Sequence, residues 1–164
     1  MTTALEIASR VRDPELPVLT LADLGVLRSV SESSDGSVVV TITPTYTGCP
    51  ALDEMGADLR RSLVAAGYSS VEVRTALSPA WTTDWITDEG RRKLQEAGIA
   101  PPSKLGPQAV GPVPLNLTPP SRRVLCPRCS SPRTEEVSRF GSTACKALRR
   151  CADCLEPFEH VKEI

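Results

Sequence analysis

Apolar residues at helical spacing identify the clearest secondary-structure element in the first hundred residues. Leu52, Met55, Leu59 and Leu63 lie three or four positions apart, which is the spacing of one face of an α-helix. Gly67 follows and is a typical C-cap residue. The pattern therefore predicts a helix that begins near Leu52 and ends before Gly67.

Two shorter helices are predicted on either side of this one. Thr3 and Glu6 form a capping-box pattern, and the apolar stripe after them predicts a helix over residues 4–12, before the prolines of DPELP. A third helix is predicted over residues 88–97 and ends at Gly98.

Three segments have the patterns of strands. VLRSV and VVVTIT flank the turn dipeptide Asp35-Gly36, which predicts a β-hairpin. In VEVRTAL, apolar and polar residues alternate with the period of a half-buried strand. A strand, a helix and a further strand in this order predict a small mixed sheet with a right-handed crossover. The predicted class for this part is α+β.

Composition divides the chain into three parts. Seven of the fifteen prolines fall in residues 101–122, where no periodicity is visible, so we interpret this segment as an extended linker. We predict an α/β domain over residues 1–100 and a small second domain over residues 123–164.

Charge and cysteine usage narrow the functional classes. The chain has 19 basic and 20 acidic residues, so no strong field draws it to nucleic acid or to an anionic membrane. No signal peptide or membrane-spanning stretch is visible, which predicts a cytoplasmic protein. The six cysteines are then expected to stay reduced, as metal ligands or reactive thiols.

Four of these cysteines have the spacing of a metal site. Cys126 and Cys129 form one CxxC unit, and Cys151 and Cys154 form a second. Two such units complete the tetrahedral thiolate shell that zinc prefers. We predict a zinc β-ribbon with a structural ion, and rubredoxin-type iron is the chemical rival. His160, the single histidine, is expected to lie on a strand surface rather than to bind the metal.

Cys49 is the candidate reactive residue of the first domain. It precedes Pro50, a favoured first helical residue, so we expect it at a helix N-cap with a lowered thiol pKa. The sequence places threonines at 41, 43, 45 and 47 before it. The alternative is a small buried cysteine after a strand rich in threonine. No histidine lies nearby to act as a base, so no catalytic residue is predicted.

Two other pairs of residues have alternative interpretations. Trp81 and Trp85 form either a partner-facing anchor or packing on the sheet edge. Asp13 and Asp23 occupy turn-like settings, where a carboxylate most simply fixes the local backbone.

The motifs DPELP, ADLGV, TGCP and SPAWTTDWI resemble the small metal-sulfur cluster assembly family, whose members assist delivery of iron-sulfur clusters. The C-terminal CPRC and FGSTACKALRRCADCLEPF resemble the PaaD family, which belongs to the bacterial phenylacetyl-CoA epoxidase complex of phenylacetate degradation. Cys49 matches the cysteine in the TGCP motif of the assembly family, and the four paired cysteines match the ribbon of the PaaD family. Cys145 lies within the second motif, and its role stays open.

The resemblance implies an accessory subunit in phenylacetate catabolism without catalytic activity of its own. Its expected partners are the oxygenase or the iron-sulfur flavin reductase of the complex, and its expected cofactors are structural zinc and a transient iron-sulfur cluster at Cys49. One alternative is a non-catalytic structural subunit that docks on the oxygenase. A more distant alternative is a zinc-ribbon nucleic-acid binder, which the low aromatic content of 4% disfavours.

Overall fold

The computed structural model describes residues 2–46, 48–104 and 123–163. The chain divides into two compact units, residues 1–94 and residues 95–163. Most of the predicted linker, from residue 105 to residue 122, lies outside the described residues. No helix in the described ranges combines the length and the apolar content that crossing a bilayer requires.

The first unit contains a three-stranded sheet with helices. Its elements in chain order are α1 (Ala4–Ala8), β1 (Leu27–Glu32), β2 (Ser37–Ile42), α2 (Leu52–Ala65), β3 (Ser70–Thr75), a 3-10 turn (Thr83–Trp85) and α3 (Asp88–Glu96), of which all but the last two residues belong to this unit. The strand order is β1-β2-β3, with β1 antiparallel and β3 parallel to β2. The predicted hairpin, crossover helix and small mixed sheet are thereby confirmed.

The core of this unit follows the two predicted periodicities. Every second residue of β2 is buried, because successive side chains of a strand point to opposite faces. In α2 the buried apolar residues are those at helical spacing, Met55, Leu59 and Leu63. The sequence pattern therefore identifies the core-facing residues of both the sheet and α2.

Helix α1 is shorter than the predicted span of residues 4–12. Its capping box is present: the Thr3 hydroxyl accepts the N–H of Glu6, and the Glu6 carboxylate accepts the N–H of Thr3. After Ala8 the backbone bonds tighten, since the Val11 N–H donates to the Ala8 carbonyl. Arg12 then forms an extended bridge. The chain leaves the helix to make this bridge before the prolines are reached.

Trp81 and Trp85 are packing residues. Trp81 is buried, and its indole N–H donates to the Leu24 carbonyl at 2.9 Å. A Cβ placed on Gly25, which has a φ of +69°, would lie 2.6 Å from Trp85. Glycine is required there by the close approach and by the left-handed backbone. The ADLGV and WTTDWI motifs thus pack against each other, which favours the structural interpretation of both tryptophans.

Asp23 holds the same region together through a partly buried ion pair. Its carboxylate accepts the Lys93 ammonium at 2.8 Å and the Thr20 N–H at 2.9 Å. Burial alone acts to raise the pKa of Asp23, but these bonds outweigh it and lower the pKa. The expected backbone-fixing role of Asp23 is confirmed.

The second unit is an antiparallel ribbon. It contains β4 (Thr134–Ser138), β5 (Lys146–Cys151) and β6 (Pro157–Val161), in the order β4-β5-β6. Ala100 pairs with His160 beside β6. The core is small and consists of Ala100, Val124, Cys126, Cys151 and Phe158. The predicted α+β class with a C-terminal zinc ribbon agrees with this architecture.

Candidate functional site

The four paired cysteines converge at one end of the ribbon. Their sulfur atoms all lie within 4.8 Å of one another. The Cys126 and Cys154 sulfurs are 3.7 Å apart, and the Cys129 and Cys151 sulfurs are 3.6 Å apart. A tetrahedral zinc site with bonds of about 2.3 Å requires sulfur separations of about 3.8 Å. The arrangement is that of a metal-binding site, and both of these separations are close to the zinc value.

Each CxxC unit folds into the same type of turn. The Cys126 N–H donates to the Ser131 carbonyl, and the Cys151 N–H donates to the Glu156 carbonyl, so both turns close over the same number of residues. The residue after each second cysteine has a positive φ: Ser130 at 59° and Leu155 at 62°. Both turns therefore place a side chain in a backbone region that favours glycine.

Contacts between the two turns fix their relative position. The Ala152 N–H donates to the Arg133 carbonyl at 2.8 Å. The Asp153 carboxylate accepts both the Arg133 guanidinium and the Ser131 hydroxyl. The turns are therefore connected by several hydrogen bonds in addition to the sulfur cluster, which holds the four ligands in place.

The sulfurs differ in their readiness to ionise. N–H groups of Cys154 and Asp153 face the Cys151 sulfur and lower the pKa of that thiol to about 7. A Ser131 N–H favours the Cys129 thiolate, but desolvation and hydrogen bonds with the other three sulfurs prevail and raise the pKa of Cys129 to about 12. A metal ion must therefore displace protons when it binds, which makes its affinity depend on pH.

The remaining polar residues of the ribbon lie outside the cluster. Arg128 pairs with Glu156 at 3.1 Å, and Arg149 lies 3.7 Å from Glu136. His160 does not belong to the sulfur cluster, but the expected strand-surface position was wrong, because the ring is buried. Burial lowers the pKa of His160 and favours the neutral imidazole.

The FGSTACKA segment forms a loop whose contacts are structural. The Glu159 carboxylate accepts the Ser142 N–H at 2.8 Å and pairs with the buried Lys146 at 2.9 Å. A Cβ on Gly141 would lie 2.9 Å from the same carboxylate. Cys145 is half-buried, with its sulfur 3.1 Å from the Thr143 hydroxyl. This motif therefore shapes a turn of the ribbon.

Cys49 lies after β2, two residues before the cap of α2. The helix begins at Leu52 with Ala51 as its N-cap, so the expected N-cap position of Cys49 was wrong. Pro50 and Ala51 form a turn before the helix starts, in which the Leu52 N–H donates to the Cys49 carbonyl. Cys49 is 6% exposed and thus lies beneath the surface of this turn.

The surroundings of Cys49 favour the neutral thiol, which also corrects the expected lowered pKa. Burial is the main cause that raises the pKa of this thiol, and the carboxylates of Glu15 and Asp13 raise it further. The Ala51 N–H and the Tyr46 hydroxyl donate toward the sulfur and act in the opposite direction, but less strongly. Cys49 is therefore a protected thiol with two acidic neighbours.

The acidic neighbours belong to the DPELP segment. One oxygen of Asp13 accepts the N–H groups of Glu15 and Leu16 at 2.9 and 2.7 Å, which confirms its backbone-fixing role. This turn brings the carboxylates of Asp13 and Glu15 close enough to Cys49 to raise the pKa of its thiol. Sequence reasoning missed Glu15 and Tyr46, although DPELP and TPTYTGCP contain both. Thr47, the last of the predicted threonine run, lies outside the described residues.

Comparison with known proteins identifies both parts of the chain. Residues 111–162 match the family model of the PaaD zinc beta ribbon domain. Residues 3–75 match the family model of the iron-sulfur cluster assembly protein.

Two relatives share these parts. The first is an Escherichia coli (strain K12) protein named as the D subunit of a putative 1,2-phenylacetyl-CoA epoxidase. It is 45% identical over 156 residues, and the match covers 95% of this chain and 88% of that protein. The second is an Fe-S protein maturation auxiliary factor of Porphyromonas gingivalis (strain ATCC BAA-308 / W83). It is 35% identical over 85 residues, which cover 51% of this chain and 80% of that protein.

A solved structure shows the same fold for the first unit. The crystal structure of a domain of unknown function, DUF59, from Bacillus anthracis has a TM-score of 0.52 and 24% sequence identity. The match covers 56% of this chain and 87% of that one. At this identity the likeness establishes the fold alone.

Proposed function

The chain belongs to the PaaD family, that of the D subunit of 1,2-phenylacetyl-CoA epoxidase, and from this premise we propose that it is a non-catalytic accessory protein that helps mature a metal centre of that enzyme system. Its client is the oxygenase or the iron-sulfur flavin reductase of the complex. In this proposal the protein works in the cytoplasm, where its six free cysteines stay reduced.

The observation that carries the proposal is that Cys49 is the one cysteine within residues 3–75, the segment that matches the iron-sulfur cluster assembly family. Burial raises the pKa of this thiol, so the sulfur keeps its proton until a metal displaces it. When the sulfur binds iron, its proton leaves to water. The Ala51 N–H and the Tyr46 hydroxyl then stabilise the bound thiolate.

A single cysteine makes the attachment of the cargo transient. Among the described residues, the four ribbon cysteines are the one group of three or more potential ligands close enough to share an ion. Cys49 therefore supplies one ligand to an iron-sulfur cluster, whose other ligands must come from the client or from small thiols. A cluster held in this way is released easily, which suits a protein that passes it on.

We assign structural zinc to Cys126, Cys129, Cys151 and Cys154. Four thiolates complete the preferred coordination of zinc and leave no position open for water or substrate. The observed sulfur separations of 3.6 and 3.7 Å support this assignment. Metal analysis of the purified chain should find about one zinc per monomer, and iron in its place would overturn the assignment.

The proposed function is tested by complementing a deletion strain. The oxygenase and the reductase are purified from strains that carry the wild-type chain, Cys49→Ala or Cys145→Ala, and their iron content and epoxidase activity are measured. We expect Cys49→Ala to behave like the deletion and Cys145→Ala to behave like the wild type. Normal iron and activity with Cys49→Ala would show that Cys49 is only a packing residue.

A second candidate function is that of a structural subunit that docks on the oxygenase. The observation in its favour is that four large apolar side chains of the second unit are exposed: Leu125, Val137, Phe140 and Leu155. This candidate predicts that the deletion strain yields an oxygenase with normal iron that fails to assemble. Size-exclusion chromatography of the purified oxygenase, combined with metal analysis, separates the two functions.

A further inference from the structure

A small hollow lies at the carboxyl ends of the parallel strands β2 and β3. The segment after β2 contributes Thr43, Pro44 and Tyr46 to its wall, and the segment after β3 contributes Leu77 and Trp81. The volume of the hollow is about 180 Å³. Ligands of open α/β sheets bind at this end of the strands, so its position is one at which binding sites are commonly found.

The wall of the hollow is neutral and partly preformed. The residues that line it, all within the described ranges, carry no charge. Trp81 is fixed by its bond to the Leu24 carbonyl, whereas Leu77 is 57% exposed. The hollow is smaller than the roughly 300–1,000 Å³ that is usual for small-molecule sites. Its size and neutrality therefore suit one uncharged, apolar side chain of another protein.

Tyr46 connects this hollow to Cys49. The tyrosine contributes to the wall and precedes Cys49 by three positions in the segment after β2, and its hydroxyl acts on the pKa of that thiol. A side chain that fills the hollow therefore contacts the segment that leads to Cys49. A protein held there lies beside the proposed cargo ligand.

We propose that the hollow is a client-recognition site, which binds one uncharged apolar side chain of the protein that receives the cluster from Cys49. This inference rests on the proposed function and adds to it the surface by which the client is held. The exposed Leu77 is the anchor at its edge, since an exposed apolar residue beside a pocket is typical of a protein contact.

The test compares two substitutions at equally exposed positions. Leu77→Glu places a charge at the hollow, and Val64→Glu places the same charge on α2, where Val64 is also 57% exposed. The affinity of the full-length chain for the purified oxygenase and for the purified reductase is measured by calorimetry. We expect Leu77→Glu to weaken binding of one of them about tenfold or more, and Val64→Glu to leave it unchanged.

Two further variants separate this inference from the proposed function. Leu77→Ala, which adds no charge, should weaken binding less, and circular dichroism establishes that each variant is folded. Cys49→Ala tests the proposed function by itself, because it should fail to restore client iron whatever its affinity for the client. If Leu77→Glu binds like the wild type, or if the wild type binds neither client, the inference is overturned. If Cys49→Ala restores client iron, the proposed function fails, whatever the affinities.

Discussion

Removal of one ribbon ligand should unfold the second unit and leave the first unit folded. We consider Cys129→Ser, with Cys145→Ser as the matched control in the same ribbon. Cys129 belongs to the four-sulfur cluster, whereas Cys145 lies outside it. Both changes replace one sulfur by oxygen, so a difference between them reports the metal site.

The expected magnitude follows from the small core of the ribbon. Its largest buried apolar side chains are Val124, Phe158 and Val161, each of which contributes about 1.5–3 kcal/mol by burial. Zinc binding contributes roughly 10–16 kcal/mol in small zinc domains. That is as large as the net stability of an ordinary domain, about 5–15 kcal/mol. Loss of the intact site should therefore leave residues 123–163 without a stable fold.

Amide spectra recorded by NMR provide the assay. For Cys129→Ser we expect the dispersed signals of residues 123–163 to collapse, while those of residues 2–94 keep their positions, because the first unit has its own core. Cys145→Ser should leave both sets unchanged, and chelation of the wild type should reproduce the Cys129→Ser spectrum. A dispersed ribbon spectrum in metal-free protein would refute the reasoning, and loss of both sets would show that the units fold together.

Three further predictions concern single residues. Gly25→Ala should lower the free energy of unfolding by roughly 2–5 kcal/mol in urea titrations, because it combines a left-handed φ with a clash against Trp85. Gly67→Ala is the control: its Cβ meets nothing within 4 Å, so it should cost only the backbone strain. Asp23→Asn should cost about 1.5–3 kcal/mol at pH 7. Since the folded pKa of Asp23 is lowered, its contribution to stability is present above the unfolded pKa of 3.8 and is lost as the pH falls through the folded value. Asp23→Asn should therefore lose less stability than the wild type when the pH is lowered through this range. Leu155→Gly should raise the stability of the ribbon by about 1 kcal/mol, because it relieves a left-handed backbone at a side chain that is 59% exposed; an unchanged melting temperature would contradict this.

Local patterns predicted the parts of this protein that depend on nearby residues. The spacing of Leu52, Met55, Leu59 and Leu63 identified α2, and Asp35-Gly36 identified the hairpin turn, because both signals lie within one element. The sulfur cluster was predictable for a different reason, because two CxxC units in a chain whose cysteines stay reduced are typical of one shared metal site.

The properties of Cys49 were not predictable in the same way. They depend on carboxylates more than thirty residues earlier in the chain and on a turn that delays the start of α2. The burial of His160 likewise follows from ribbon packing that no local pattern reveals. Long-range placement therefore decides the chemistry, although the identity of the residues was visible in the sequence.

The bonds that join ADLGV to the later tryptophan segment bear on how much of the chain a stable fragment of the first unit needs. The Trp81 indole reaches the Leu24 carbonyl over 57 positions, and Lys93 reaches Asp23 over 70. Contacts between such distant positions require the closure of long loops, which costs chain entropy. A chain truncated at residue 75, where the assembly-family match ends, would lack these partners. A fragment that extends to Lys93 is therefore expected to be more stable than one that ends at residue 75.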